Sequence, residues 1–448
     1  MADSRFSLYA RYSELFCRHG LNPPEVIIGT NNAAREAGRR GYKRPWVLSG
    51  ERTEAALGTR IRSAIRAEGL ASAGAVLPAK PRPVPSMEIC EELTRAAKRD
   101  NADLIIAVGG GTLSDIGKVV STELSIPNWA APTAPSVDAY TSGRSAVRIG
   151  GYHRTLPVTP SEVIAVDLDT LEATPRLLLV AGIGDMLAKL PATADWHLAS
   201  VLNEEPFDET ANDAGAAAGR HVIAAAEELS EAYGDRLSRA RKAIGETAAA
   251  LLDACLTSGL AMRAAGSSRP AATAEHSVAH FWEILHAGRG ATHELHGILV
   301  TAALAFLLPT YEAILAGLSA ADEGALVPQG PAAGAARREI SRRTLPEVLR
   351  PFEESIAGEI DGRQDDTATV DRRRRRFFAN KKRLLAPYRR RLAEVRAGIT
   401  IIEELLGAPL DLDRLIVRER LDQSMLVLPF VRNRYGLVDL GREFGLTE

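Results

Sequence analysis

The stretch AEHSVAHFWE, residues 274–283, sets His276 and His280 four residues apart, and THELHG follows with His293 and His296. Five of the chain's nine histidines fall between residues 276 and 296. Positions i and i+4 share one helix face, so the first pair can aim at one ion. His296, in LHG, stands where a helix is expected to begin. A further donor lies in AGIGDMLAKLPATADW (181–196), where Asp185 follows glycines at an expected helix start. One carboxylate and two imidazoles suit Zn²⁺ or another borderline divalent ion, with a position left open for substrate. Each piece also has a plainer reading. The histidine pair fits an amphipathic helix with polar decoration, and an Asp at a helix start is commonly an N-cap. His286 and His293 read as polar surface or as groups behind the ligands.

A second chemistry sits in IIAVGGGTLSDIGK, a strand, three glycines (109–111) and a helix. Glycines let an anion approach the backbone closely, and the helix start offers free N–H groups and a positive dipole end. The spacing is not GxGxxG, so the expected guest is a pyrophosphate-bearing cofactor held in another way. Asp115 and Lys118 fall in the first turns of that helix. PTAPSVDAYTSGRSAV (132–147) then supplies hydroxyls and a carboxylate on a loop. It follows IPNWAAP, a short strand whose C-terminal end is where an α/β sheet binds ligands. Thr133, Ser136 and Ser142 are candidate cofactor contacts, and Asp138 is a candidate substrate contact. The plain alternatives are an ordinary βα turn and a surface loop.

The elements around these residues change character along the chain. EVIIG (25–29), PWVLSG (45–50) and ADLIIAVGGG (102–111) read as strands, with helices at 31–41, 53–68, 86–99 and after Gly111. This alternation predicts a parallel sheet with helices on both faces. From about 175 onward the pattern is helical. The expected organisation is an α/β dinucleotide-binding domain over 1–174 and an all-helical domain over 175–448. ALVPQGPAAGAARRE (325–339) reads as a loop. DRRRRRFFANKKRLLAPYRRR (371–391) reads as a solvated basic helix face, with a polyanion patch as the lesser reading.

Of 448 residues, 46% are hydrophobic and 25% charged, a globular balance, and the net charge of −2 gives no bulk reason to expect nucleic acid or a membrane surface. No unbroken run approaches the eighteen apolar residues of a membrane span, and the N-terminus lacks the apolar core of a signal peptide. Cys17, Cys90 and Cys255 are too scattered for a disulfide framework or a metal knuckle; the last two read as buried small hydrophobes. The expected location is cytoplasmic.

Taken in order, AVGGGTLSDIGK, PTAPSVDAYTS, AGIGDMLAK with TADW, SRPAATAEHSVAHFWE, LHG and the terminal PFVRNRYGLVDL resemble sn-glycerol-1-phosphate dehydrogenase of the bacterial AraM type. That family lies within the superfamily of iron-containing alcohol dehydrogenases and dehydroquinate synthases. The resemblance spans roughly 25–310 and 425–445; residues 320–420 are longer and more basic than the pattern and match it poorly. It implies a dehydroquinate synthase-like fold, an active site between the two domains, NAD or NADP, and one divalent metal, with Zn²⁺, Ni²⁺ and Fe²⁺ all accepted by such ligands. By position it implies metal ligands Asp185, His276 and His296, a substrate-contacting His280 and a substrate-contacting Asp138. Gly110, Gly111, Thr112, Leu113, Ser114, Asp115, Thr133, Ser136 and Ser142 match cofactor positions. The implied reaction interconverts dihydroxyacetone phosphate and sn-glycerol 1-phosphate, in a homodimer or larger assembly without nucleic acid or membrane span.

The chain departs from the family in two places. Asp138-Ala139 replaces the usual Asp-Gly, and GYHRTLP offers His153 and Arg154 where a hairpin lysine is usual. Arg154 keeps the charge but not the geometry. These departures hold open a different phosphorylated or phosphonate ketone as substrate. A lyase of the dehydroquinate synthase kind is the rival enzyme, and a non-catalytic binding protein the rival outside catalysis. Glu51, after Gly50, lies near the expected adenosine side and would favour NAD by repelling a 2′-phosphate.

Overall fold

The computed structural model describes residues 3–150, 152–233, 237–288, 294–322, 347–354, 356, 366–412, 421–426, 428 and 434–447. His293 and the expected loop at 325–339 lie outside the described residues.

Six parallel strands form one sheet in the order β1-β8-β5-β4-β2-β3: β1 Glu25–Ile28, β2 Pro45–Gly50, β3 Ala73–Leu77, β4 Leu104–Gly109, β5 Asn128–Pro132 and β8 Val163–Val166. β4 is central and buried throughout, as its unbroken apolar run requires of a strand covered on both faces. Its alternate residues feed two cores. Leu104, Ile106 and Val108 pack with Ala33, Ala37, Ile61 and Ile65 from the helices Thr30–Arg39 and Thr59–Ala67. Ile105 packs with Leu93, Ala97, Ile116 and Val120 from Met87–Arg99 and Gly111–Leu124. Gly109 pairs with Pro132 at the C-terminal ends of β4 and β5, where the glycine turn and the Thr/Ser loop begin. The loop feeds the antiparallel hairpin of β6 Arg144–Ile149 and β7 Tyr152–Pro157. The expected strands at β1, β2, β4 and β5 are present; β3 and β8 are strands the sequence reading passes over.

Cα packing divides the chain into two units, Met1–Met186 with His221–Ser267, and Leu187–Arg220 with Ser268–Glu448. The helix Leu237–Ala265 therefore belongs with the sheet, an association over a long sequence interval that a linear split near 174 does not express. Its Asp253 carboxylate accepts from the backbone N–H groups of Leu8 (3.0 Å) and Tyr9 (2.7 Å), at the start of the helix Ser7–Arg18. An anion at a helix N-terminus takes up donors that have no partner within the helix.

The second unit is helical: Lys189–Asn203, Ala274–Gly288, His296–Ala320, Thr367–Leu406 and Leu437–Glu443 are its main elements. Asp195 organises it. The carboxylate is fully buried and accepts from Tyr388 Oη (2.5 Å), the Leu437 N–H (2.9 Å) and Thr273 Oγ1. One side chain thus joins three helices and the turn before Ala274. Burial pushes its carboxyl up to about 6, against those hydrogen bonds.

Among the described residues three helices, Arg176–Asn203, Lys242–Ala265 and His296–Ala320, are long and apolar enough to cross a membrane by length and composition. None is an unbroken apolar run, since Asp185, Asp253 and Glu312 interrupt them in turn. Their most apolar windows are 89%, 78% and 67% buried inside the protein, which accounts for their composition without lipid.

Candidate metal centre

The helix Ala274–Gly288 carries His276 and His280, and His296 is the first residue of His296–Ala320, as its LHG setting predicts. All three imidazoles converge. Ring centroids lie 6.3 Å apart for His276–His280, 5.4 Å for His276–His296 and 5.1 Å for His280–His296. Carboxylates hold each ring from behind. Nδ1 of His276 donates to Glu275 Oε1 (2.9 Å), Nδ1 of His280 to Glu283 Oε2 (3.0 Å), and Nδ1 of His296 to Glu283 Oε1 (2.8 Å). This is the arrangement that fixes tautomer and aim in metal-binding histidines, with Nε2 as the ligating atom. His280, Glu283 and His296 each offer a ligand atom within 4.8 Å of the others.

Both carboxylates are buried, Glu275 completely and Glu283 at 4% exposure. Burial would raise the Glu283 carboxyl, but His296 and His280 outweigh it and hold it well below the usual range. Glu275 Oε1 also accepts from the Thr273 N–H (2.8 Å), whose hydroxyl donates to Asp195, so His276 is tied to the unit's organising carboxylate. Glu275 Oε2 is buried without a hydrogen-bond partner. Three imidazoles crowded together, each with a fixed Nδ1, and an orphaned carboxylate oxygen behind them fit a divalent cation. The sequence reading missed Glu275 and Glu283. The visible signal was H-x3-H-x2-E, which puts Glu283 one turn past His280 on the same face.

Asp185 lies in the first unit, fully buried in the last turn of the helix Arg176–Leu187. The N-cap reading is therefore corrected: the glycines before it do not mark a helix start. Gly182 is inside the helix because a Cβ there would overlap the Pro135 carbonyl and Leu251. His286 gives its Nδ1 to the Trp282 carbonyl (2.8 Å) of its own helix.

The glycine turn and the Thr/Ser loop form one construction in the first unit. The helix Gly111–Leu124 starts at Gly110 without a side-chain cap, which leaves its first N–H groups to a ligand. A Cβ on Gly111 would come within 2.6 Å of Val137 Cγ2, and one on Gly110 within 3.7 Å of Ser136 Oγ, so the loop lies over the turn. Thr133 N–H donates to the Gly109 carbonyl (3.4 Å). Ser114 is buried and its hydroxyl has no partner. Thr112 is half-buried at the turn, whereas Leu113 packs into the apolar core beside Trp46 and Leu48. Ser142 accepts from the Arg144 N–H (3.1 Å).

Lys118 holds this loop in place. Its ammonium is fully buried, 3.0 Å from Asp115, and donates to the carbonyls of Ala139 (2.8 Å) and Arg144 (2.6 Å). Asp115 is itself buried, which raises its carboxyl. Asp138, next to the anchored Ala139, accepts from Ser258 Oγ (2.8 Å). Arg154 is exposed on β7 and lies over the Tyr152 ring. Glu51 Oε2 accepts from the Ala79 N–H (3.0 Å).

A family model for iron-containing alcohol dehydrogenase matches residues 29–175. The glycerol-1-phosphate dehydrogenase (NAD(P)+) of Halalkalibacterium halodurans is 35% identical over 211 residues, 47% of this chain and 50% of that protein. The enzyme of the same name from Bacillus licheniformis is 29% identical over 312 residues, 68% of this chain and 75% of that one. The chain thus spans about half the length of the first of these curated relatives. The solved NADH-dependent butanol dehydrogenase A of Thermotoga maritima superposes with a TM-score of 0.56 at 15% identity, covering 95% of this chain and 97% of that chain. That likeness extends over both units and concerns the fold.

Proposed function

We propose that the chain, similar to iron-containing alcohol dehydrogenases over residues 29–175 and to glycerol-1-phosphate dehydrogenases, is a metal-dependent, NAD(P)H-linked oxidoreductase interconverting dihydroxyacetone phosphate and sn-glycerol 1-phosphate, or a closely related phosphorylated ketone and polyol. The observation that carries the reading is the convergence of His276, His280 and His296 with their Nδ1 atoms held by Glu275 and Glu283. On the resemblance, the ligands are Asp185, His276 and His296, and the ion is Zn²⁺, Ni²⁺ or Fe²⁺. The bound ion supplies Lewis-acid polarisation of a carbonyl, and the nicotinamide supplies hydride.

The protein's own groups do the rest. Glu275 and Glu283 orient the rings. His280, with Nδ1 held by Glu283, keeps Nε2 for passing the proton that ketone reduction takes up. Asp138, fixed by Ser258 and by the Lys118-anchored loop, accepts from a substrate hydroxyl. On the resemblance, the residues from Gly110 to Asp115, with Thr133, Ser136 and Ser142, form the cofactor site, in which Leu113 acts from the apolar core and Asp115 through its pair with Lys118. The uncapped helix start and the partnerless Ser114 hydroxyl support that assignment. The enzyme acts in the cytoplasm as a homodimer or larger, on a small phosphorylated substrate, without nucleic acid.

The test is nicotinamide oxidation by purified protein with dihydroxyacetone phosphate, NADH and NADPH, with metal content measured on the same sample. Stoichiometric oxidation, lost on chelation and regained with a divalent ion, is expected. No turnover with either nicotinamide under any of the three metals would end the proposal. Ala139 and Arg154 favour a second reading, reduction of a different phosphorylated or phosphonate ketone, which a substrate panel in the same assay separates. A lyase using NAD transiently would give no net nicotinamide oxidation.

A further inference from the structure

The second unit contains a cleft of about 430 Å³ that none of the clustered histidines lines. Its walls come from the helices Lys189–Asn203, Glu209–Tyr233 and Thr367–Leu406, with His197, Phe207, Arg383 and Arg391 among the lining residues. Arg391 is 9% exposed, and its Nε and Nη1 are buried N–H groups without an acceptor. Three other arginines of the helix Thr367–Leu406 differ. Arg373 pairs with Glu443, Arg376 with Glu204, and Arg396 with Glu312. A guanidinium stays charged, and leaving a buried charged donor unmet costs more than leaving a neutral one. Burial, and then the charge of Arg220, pushes Arg391 down to about 10. Arg220 Nη1 is likewise buried without an acceptor. Burial, and then the charges of Arg383 and Arg391, lower His197 and favour its neutral form, so the cleft's positive charge rests on the guanidinium groups. Glu209 and Asp213 are exposed at the rim, and neither forms an ion pair with Arg391 among the described residues.

We propose that this cleft binds a small anion of the phosphate class, inorganic phosphate or a phosphomonoester, on the guanidinium groups of Arg391 and Arg383, apart from the histidine cluster. Planar guanidinium forks match phosphate oxygens two at a time. Phe207, 37% exposed and edge-on to Trp196, offers an apolar wall for the organic part of an ester. The test is thermal melting of the full chain against inorganic phosphate and, separately, glycerol 2-phosphate, with ionic strength balanced by chloride. A saturable rise in Tm is expected with at least one of them. The phosphate arm alone would assign a free anion, and the ester arm alone an organic phosphate seated against Phe207. Arg391→Gln and Arg383→Gln should each weaken half-saturation by roughly tenfold, the loss of one charge-assisted contact, while His276→Ala keeps the response. Arg383 is exposed, so its variant decides the matter if Arg391→Gln does not fold. The proposal is overturned by the absence of a saturable rise in both arms. It is equally overturned by a response that Arg383→Gln leaves intact or that His276→Ala abolishes.

Discussion

Glu283 accepts from two imidazoles on two different helices. A carboxylate in that position acts through the rings it aims, so its removal should loosen the ion rather than the fold. Glu283→Gln is expected to lower metal affinity by roughly 10–100-fold, measured by competition with a chromophoric chelator, with the far-UV circular dichroism unchanged. Wild-type affinity in that variant would sink the orienting role. Glu443 makes a different kind of claim. It is buried beside Arg373 (2.7 Å), and burial raises its carboxyl to about 7. The folded state therefore holds a proton that the unfolded chain releases near its ordinary pKa. Above about pH 4.5 the unfolded state binds fewer protons, so this group's contribution to stability falls as pH rises toward about 7. Glu443→Gln mimics the protonated form. Between about pH 5 and pH 8 the wild type should lose roughly 1–3 kcal/mol relative to the variant in urea denaturation. A constant difference across that range would refute the assignment.

The elements show why some of this was readable in the chain and some was not. β4 and its glycines are legible because an unbroken apolar run followed by Gly-Gly-Gly has few other uses, and the i, i+4 histidines announce a shared face. β3 was missed because AGAVL carries a glycine at positive φ and a single β-branched residue. Asp185 was misplaced because Gly182 mimics helix punctuation, when its real cause is contact with Pro135 far along the chain. Lys118 could be placed in the first turns of its helix, but not its partners: it reaches two loop carbonyls across more than twenty residues of sequence, which no local pattern encodes. That anchoring has a measurable price. Lys118→Met leaves Asp115 as a buried unpaired charge and should destabilise the protein by about 3–5 kcal/mol. Adding Asp115→Asn should recover a large part of the loss, as neighbours in one network do not add. Strict additivity in that cycle would show that Lys118 and Asp115 do not act together.

At the scale of the whole molecule, packing makes two compact units out of interleaved segments, and the converging imidazoles with Glu275 and Glu283 all belong to the second. The basic run belongs there too, and it is divided: Arg372, Arg375, Lys382, Arg383, Arg389 and Arg390 are exposed, as a solvated face requires, whereas others are internal structure. Arg373 is buried against Glu443, and Lys381 donates to the carbonyls of Ser319 and Ala321 at the end of His296–Ala320. Cations there meet a helix C-terminus, where unpaired carbonyls and the negative dipole end favour them. This organisation predicts how metal loss is felt. An ion that binds only the folded state adds about 4 kcal/mol at a thousandfold excess over its dissociation constant. If that ion rests on the histidines, chelation should deprotect Ala274–Gly288 and His296–Ala320 in hydrogen exchange, because their termini carry the ligands. The strands β4 and β5, whose cores are built from sheet and flanking helices of the first unit, should keep their protection. Equal loss of protection in both sets of elements would mean that the cation does not act through the histidine cluster.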